Sequence, residues 1–145
     1  MEFEITLPAN KDKLFTIATD FETYRKLLPD QILDVKIIQR NGTEIVTEET
    51  LLFASVIKKE ITQQSRHHVI DNNVVNSNII SGPLNGSKVR AQFEQVPDGT
   101  KVSVSFDLKI TLKYKILSPL ISKYYKIILR ALFYKMNNMA LGNAG

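Results

Sequence analysis

Few side chains in this chain could do chemistry: His67 and His68, Glu49, and the neighbouring pair Tyr124 and Tyr125. An imidazole titrates near neutral pH, so it can act as a general acid or base or hydrogen-bond a ligand carbonyl. A carboxylate in an apolar environment is a candidate acid, base or ligand anchor. Tyrosines combine an apolar ring with a polar hydroxyl, which suits them to orienting a ligand in an apolar pocket. The alternatives are purely structural. The histidine would be hydrogen-bonded by neighbouring residues, and the tyrosines would pack the helix against the sheet.

Other kinds of site are missing from the sequence. The chain has no cysteine, which excludes a disulfide framework and a thiolate nucleophile or metal ligand. His67 and His68 are adjacent on a predicted strand, so they point to opposite faces and cannot share one metal ion. We find no phosphate-binding glycine loop, nucleophile elbow or metal-spaced set of ligands. We therefore predict no catalytic set, no metal and no cofactor, and favour a protein that is not an enzyme.

The elements that position these residues follow from hydrophobic periodicity. Period-two alternation predicts seven strands, over residues 1–7, 32–40, 43–55, 59–70, 74–81, 87–96 and 100–113. Two short helices follow the first strand, one capped by Asn10 and ending near residue 19, the other capped by Asp20 and covering residues 21–28. A long amphipathic helix covers residues 119–139. Hairpin-length connections such as Asn41-Gly42 make the sheet antiparallel, so we predict one α+β domain over residues 1–145.

Strand parity decides which candidates face the interior. Glu49 shares parity with Leu51 and Phe53, which are apolar and therefore expected inside. His67 shares parity with Ile61 and other apolar residues of its strand. We therefore expect both side chains on the inner face of the sheet.

The terminal helix has more apolar surface than one packing face needs. Its polar stripe consists of Lys123, Lys126, Arg130 and Asn137. The apolar residues outside its main apolar side are Leu120, Ile127, Phe133 and Tyr134. This surplus suggests a second apolar contact with a ligand, a partner or a membrane surface, and ordinary packing is the alternative.

Positive charge is concentrated at the end of the chain. Residues 1–100 carry a net charge of −3 and residues 101–145 a net charge of +7, within a total of +4. Such a segment could face anionic lipid or nucleic acid, or simply be solvated, but no aromatic-rich basic strand motif supports nucleic-acid binding. No uncharged apolar run is long enough to span a membrane, and the N-terminus lacks a secretion signal. We expect a cytoplasmic protein, with peripheral membrane or protein contact through the basic helix as an option.

Several segments resemble one known superfamily. Residues 20–29, DFETYRKLLP, resemble the helix-turn segment of the START-like superfamily, also called SRPBCC, Bet v 1-like or polyketide cyclase/dehydrase. Residues 80–86, ISGPLNG, resemble the Gly-Pro loop of its coenzyme Q-binding subgroup. Residues 98–102 and 118–121 look like that subgroup's last hairpin and the start of its terminal helix. The resemblance covers nearly the whole chain.

The resemblance implies a helix-grip fold, in which a curved antiparallel sheet of about seven strands wraps a long C-terminal helix, with two short helices after the first strand. It also implies a cavity between sheet and helix for a lipid, isoprenoid, quinone or polyketide-like molecule. We predict one wall from the last strand and one from the helix, formed by Val104, Phe106, Leu108 and Ile110 and by Tyr124, Tyr125, Ile128 and Leu132. His67 and Glu49 are the predicted polar anchors.

Three functions fit this expectation. The first is a carrier or chaperone for a hydrophobic small molecule. The second is a cyclase or dehydratase in which His67 or Glu49 carries the proton. The third is an interaction module that acts on ribosomes or another partner through the basic helix.

Overall fold

A computed structural model describes residues 1–54 and 56–142 of the chain. The seven strands are β1 (Glu2–Leu7), β2 (Ile32–Asn41), β3 (Glu44–Leu52), β4 (Glu60–Ile70), β5 (Val74–Ile79), β6 (Lys88–Val96) and β7 (Gly99–Asp107). The helices are α1 (Lys11–Ala18), α2 (Tyr24–Leu27) and α3 (Ser118–Ala140), and two 3-10 turns, Phe21–Thr23 and Leu112–Leu117, precede α2 and α3.

One antiparallel sheet contains all seven strands, in the order β1-β7-β6-β5-β4-β3-β2. Strands β2 to β7 pair with their neighbours along the chain, and β1 pairs with β7. The short helices fill the long connection from β1 to β2, and α3 packs as a second layer against the sheet. The predicted α+β helix-grip fold is therefore confirmed.

Local signals explain most element boundaries. The backbone N–H of Lys13 donates to Oδ1 of Asn10 at 2.9 Å, so Asn10 caps α1 as predicted. Gly42 turns the β2–β3 hairpin with a φ of 62°, a left-handed conformation that glycine adopts without strain. Asp20 was predicted to cap the second helix, but its side chain makes no capping hydrogen bond, and that helix begins instead as a 3-10 turn.

Three strands end earlier than their alternation predicts, and one of them is β5, which ends at Ile79 rather than residue 81. β7 ends at Asp107 rather than residue 113, because the following chain turns to the loop between β5 and β6. There the N–H of Lys109 donates to Oγ of Ser87 at 2.8 Å, and the N–H of Thr111 donates to the carbonyl of Pro83 at 3.0 Å. β3 ends at Leu52 rather than residue 55, and residue 55 itself lies outside the described residues.

The terminal helix is buried over a wider arc than its polar stripe suggests. Asn137 was predicted to face solvent, but it is buried, and its Oδ1 accepts a hydrogen bond from the N–H of Ala9 at 2.9 Å. Phe133 was predicted outside the main apolar face, yet it is buried with its ring 5.9 Å from that of Phe93. The burial of both residues follows because α3 contacts α1 on one side and the sheet on another. Within the described residues, no helix combines the length and the apolar character that a membrane span requires.

Candidate functional site

A cavity of about 140 Å³ lies between the inner face of the sheet and α3. Most of its lining is apolar: Ile32, Val35, Leu51, Phe53, Val75, Ile79, Val89, Ala91 and Phe93 from the sheet side, and Ile128, Leu129, Leu132, Phe133 and Met136 from α3. A space of this size accommodates about one aromatic ring, whereas pockets for drug-sized ligands measure roughly 300–1,000 Å³. A larger ligand therefore requires the walls to move apart.

A patch of polar side chains interrupts this apolar lining. It consists of Thr47 and Glu49 on β3, Gln63, Ser65 and His67 on β4, and Ser77 on β5. These residues alternate along their strands, so they all point to the same face. The strand register brings them side by side, since Thr47 pairs with Ser65, Glu49 with Gln63, and His67 with Ser77.

Glu49 is the acidic residue of the patch. Its Oε1 accepts a hydrogen bond from Oγ of Ser65 at 2.7 Å. Its buried Oε2 and the buried Oε1 of Gln63 have no hydrogen-bond partner among the described residues. Burial raises the pKa of Glu49 to about 7, because desolvation of the charged form outweighs the opposing polar interactions with Ser65, Thr47 and Gln63. Near neutral pH this carboxyl group can therefore both donate and accept a proton.

His67 is held in place by its surroundings. Its Nε2 lies 2.9 Å from Oγ1 of Thr47, and its Nδ1 lies 2.7 Å from Oγ of Ser77. The ring of Phe21 stacks on the imidazole with centroids 3.9 Å apart and an angle of 15° between the planes. Burial lowers the pKa of His67 to about 4, so the ring is neutral at pH 7. With both nitrogens engaged, His67 is better suited to shaping the cavity than to transferring protons.

Two tyrosines border the cavity. Burial, together with the negative charge of Glu49, raises the pKa of both Tyr24 and Tyr125 above its ordinary range. The Tyr24 hydroxyl donates to the backbone carbonyl of Ala18, while the Tyr125 ring packs 5.7 Å from that of Phe106. Both phenols thus stay protonated at neutral pH.

The predicted site residues divide into two groups. Those that line the cavity are Glu49, His67, Tyr125, Ile128 and Leu132. Those that lie outside the lining are Val104, Phe106, Leu108, Ile110 and Tyr124. Strands β2 to β6 border the cavity, whereas β7 lies beyond β6 next to β1. Direct ligand contact by any of the ten stays a prediction.

The residues outside the lining have other positions. Val104 and Phe106 are buried in the core, and Phe106 supports Tyr125 from behind. Leu108 and Ile110 follow the end of β7 and were therefore wrongly assigned to that strand. The ring of Tyr124 packs edge-on against Phe53 at 5.6 Å, so it backs a lining residue.

Sequence reasoning missed three residues that contact His67, namely Phe21, Thr47 and Ser77. Thr47 could have been found, because it shares strand parity with Glu49. Ser77 required the register between β4 and β5, and Phe21 required the docking of its 3-10 turn onto the sheet. Neither register nor docking follows from local sequence.

Comparisons with known proteins agree on the fold. Residues 7–136 match the family model described as polyketide cyclase/dehydrase and lipid transport. No curated protein sequence matches the chain.

Three solved structures illustrate the structural similarity. TTHA0849 from Thermus thermophilus has a TM-score of 0.80 at 16% identity, covering 98% of this chain and 97% of that one. The ZhuI aromatase/cyclase from Streptomyces sp. R1128 has a TM-score of 0.75 at 13% identity, covering 99% and 98%. A START superfamily protein from Mycobacterium smegmatis has a TM-score of 0.77 at 15% identity, covering 96% and 97%. At these identities the likeness concerns the fold alone.

Proposed function

Because the chain belongs to the polyketide cyclase/dehydrase and lipid transport family, we propose that it binds and carries or chaperones a hydrophobic small molecule between the sheet and α3. The apolar part of the ligand lies against Ile128 and Leu132, and a polar group of the ligand meets Glu49. The coenzyme Q-binding subgroup suggested by the sequence stays a prediction, as does a quinone ligand.

The observation that carries this proposal is a pair of unsatisfied oxygens in an apolar cavity. Glu49 Oε2 and Gln63 Oε1 are buried, and no residue in ranges 1–54 and 56–142 forms a hydrogen bond with either oxygen. An unsatisfied buried polar atom costs about 1–3 kcal/mol, and more if it is charged. A ligand that donates a hydrogen bond would remove this cost, while its apolar body would fill the cavity.

The same oxygens favour one class of ligand over another. An ionised carboxylate only accepts hydrogen bonds, so Glu49 favours a ligand with a hydroxyl, phenol or protonated amine group. A quinone has only hydrogen-bond acceptors, so it would form a hydrogen bond with Glu49 only when the carboxyl group of Glu49 is protonated. Hydroxylated lipids, isoprenoids and polyketide-like phenols therefore suit the patch better than a quinone.

Direct analysis of the purified protein tests the proposal. Native mass spectrometry followed by organic extraction should reveal a co-purifying apolar molecule. Calorimetric titration with naphthol and naphthoquinone, which share a ring system, then measures the hydrogen-bond preference. We expect wild type to prefer naphthol, and Glu49→Gln to reduce that preference about tenfold.

Glu48→Gln is the matched control, because Glu48 is the next residue on β3, points to the opposite face and contacts Gln64 instead. It should bind both probes as wild type does. A protein that is always isolated empty and binds neither probe would contradict small-molecule binding. Equal affinity of wild type and Glu49→Gln for naphthol would contradict only the role of Glu49.

A second candidate function, cyclase or dehydratase activity, is favoured by the state of Glu49. A group whose pKa is about 7 is well matched to general acid–base catalysis at neutral pH. As a base, the carboxylate would take a proton from a carbon next to a ligand carbonyl. As an acid, it would return that proton to a departing hydroxyl group. His67 suits this role less well, because burial lowers its pKa to about 4 and both ring nitrogens are engaged.

The two functions make different predictions for Glu49→Gln. An enzyme would lose turnover of a synthetic polyketone probe, measured by absorbance as rings form, while still binding the probe. A carrier would show no turnover in either wild type or the variant. Wild-type turnover that survives in Glu49→Gln would exclude Glu49 as the proton carrier.

A further inference from the structure

An exposed apolar ridge, separate from the cavity, precedes and begins α3. We define this ridge as Leu112 and Ile116 on the 3-10 turn and Leu120 at the start of α3, with Lys113 and Lys115 between them. Leu112 is 87% exposed, Ile116 90% and Leu120 56%. Single exposed apolar side chains are common, but three within residues 112–120 indicate a contact surface.

The geometry of the 3-10 turn explains why these side chains point outward. A 3-10 helix has three residues per turn, so Tyr114 and Leu117 lie on the same row. Both pack against the hydrophobic core. Leu112 with Lys115, and Lys113 with Ile116, then occupy the two other rows, so each outward row combines one apolar and one basic side chain.

The ridge segment itself carries only positive charge. Residues 112–120 contain Lys113 and Lys115 and no Asp or Glu. The loop between β3 and β4 adds to this charge through Lys59. The Nζ atoms of Lys59 and Lys113 lie 6.0 Å and 5.5 Å from the ring centre of Tyr114. The ridge is therefore apolar at its tips and positive around them.

We infer that this ridge docks on the surface of an anionic lipid bilayer. Short segments with exposed Leu and Ile among lysines insert their apolar side chains at the boundary between headgroups and acyl chains. Lysines beside them are attracted to anionic headgroups near the surface. A protein partner would more commonly meet a continuous apolar patch depleted of lysine.

The ridge lies beside one end of the cavity. Tyr114, within the ridge segment, contacts Lys59 of the β3–β4 loop, and the same loop begins at Phe53, a lining residue. Phe53 in turn contacts Tyr124 of α3 at 5.6 Å. A bilayer seated on the ridge would therefore face the Phe53 end of the cavity. Docking itself does not depend on what occupies that cavity.

Vesicle co-sedimentation of the full chain tests the inference. We expect wild type to bind vesicles of phosphatidylcholine mixed with phosphatidylserine, to bind pure phosphatidylcholine much more weakly, and to be released by added salt. The double variant Leu112→Ser/Ile116→Ser should lose about tenfold or more in partitioning, because two apolar side chains no longer insert. Lys113→Glu/Lys115→Glu should lose at least as much.

Matched variants elsewhere on the surface provide the controls. Ile38→Ser removes an apolar side chain on β2 that is 48% exposed, and it should bind vesicles as wild type does. Lys13→Glu/Lys26→Glu makes the same charge change on α1 and α2, and should reduce binding much less than Lys113→Glu/Lys115→Glu. Circular dichroism melting curves confirm that each variant is folded.

Three results would overturn the inference. The first is a wild-type protein that binds neither kind of vesicle, or binds both equally. The second is anionic-vesicle binding that Leu112→Ser/Ile116→Ser leaves intact. The third is self-association of wild type, seen by sedimentation velocity, that the same double variant abolishes while vesicle binding is absent, because the ridge would then contact a second copy.

Discussion

Replacing Glu49 with Gln removes a carboxyl group whose charged form is poorly solvated in the cavity. The pKa of Glu49 rises from its ordinary value of 4.5 to about 7 on folding. A carboxyl with a raised pKa binds its proton more tightly in the folded state, so its contribution to stability is fully present below pH 4.5 and is lost as the pH rises through 7. Each pKa unit corresponds to about 1.36 kcal/mol, which makes this loss about 3 kcal/mol.

Glu49→Gln does not ionise, so it does not lose this stability as the pH rises. Gln has nearly the shape of a protonated Glu, so the two proteins should have similar free energies of unfolding near pH 4.5. Above pH 7 the variant should be more stable by up to about 3 kcal/mol, reduced by any hydrogen bond that Gln makes less well than the carboxyl group. Urea unfolding followed by circular dichroism, at intervals between pH 4.5 and 8, measures the difference directly.

The difference between variant and wild type is more informative than either curve alone, because other titrating groups cancel in it. Glu48→Gln provides the control and should differ from wild type by less than about 0.5 kcal/mol at every pH, since its carboxyl is on the outer face. A difference between Glu49→Gln and wild type that stays constant from pH 5 to pH 8 would refute the argument that Glu49 is desolvated.

Three further changes test other parts of the structure by urea unfolding. Burial lowers the pKa of His67 to about 4, so wild type loses the stability linked to the neutral imidazole as the pH falls from 6.5 to 4. His67→Gln has no such loss, and its stability deficit relative to wild type should therefore shrink by about 3 kcal/mol over that range. Gly99→Ala should cost more than about 3 kcal/mol, because Gly99 has a φ of 136° and a new Cβ would overlap the backbone carbonyl of Leu7. Asn137→Ala should cost about 1–3 kcal/mol, because a buried backbone N–H loses its acceptor.

Each of these changes has its own comparison. A pH-independent deficit in His67→Gln would show that the imidazole is not desolvated. Gly42 has a φ of 62°, and a Cβ added there would meet no described residue within 4 Å apart from its chain neighbours. Gly42→Ala should therefore cost only about 1–2 kcal/mol, and an equal cost at both glycines would contradict the steric argument. Asn138→Ala, one position along α3, should be nearly neutral, and similar effects at both asparagines would contradict the role of the Asn137 hydrogen bond.

Periodicity and turn residues in the sequence were enough to predict the order of elements and the antiparallel sheet. These signals are local: the Asn10 cap acts within one helical turn, and Gly42 closes a hairpin between adjacent strands. Strand parity also placed Glu49 and His67 on the inner face, because side chains on a strand alternate regardless of what surrounds them.

The tertiary structure alone decided where the chain leaves the sheet and which strands border the cavity. β7 stops at Asp107 because Lys109 bonds to Ser87, and β1 pairs with β7 from the other end of the chain. That pairing places Val104 and Phe106 beyond the cavity, although their alternation is indistinguishable from that of a lining strand. Alternation reports that one face is buried, but not what it is buried against.

The chemistry of the candidate site divides in the same way. The sequence determined that a histidine and a glutamate would point inward from neighbouring strands. Only the assembled sheet decided that Thr47 and Ser77 occupy both nitrogens of His67, while one oxygen of Glu49 has no partner in the part of the chain that the structure describes. Residue type is set by each position of the chain, whereas desolvation and hydrogen-bond partners come from residues distant in sequence. For that reason a shifted pKa, and the ligand class that follows from it, appear only once the fold is formed.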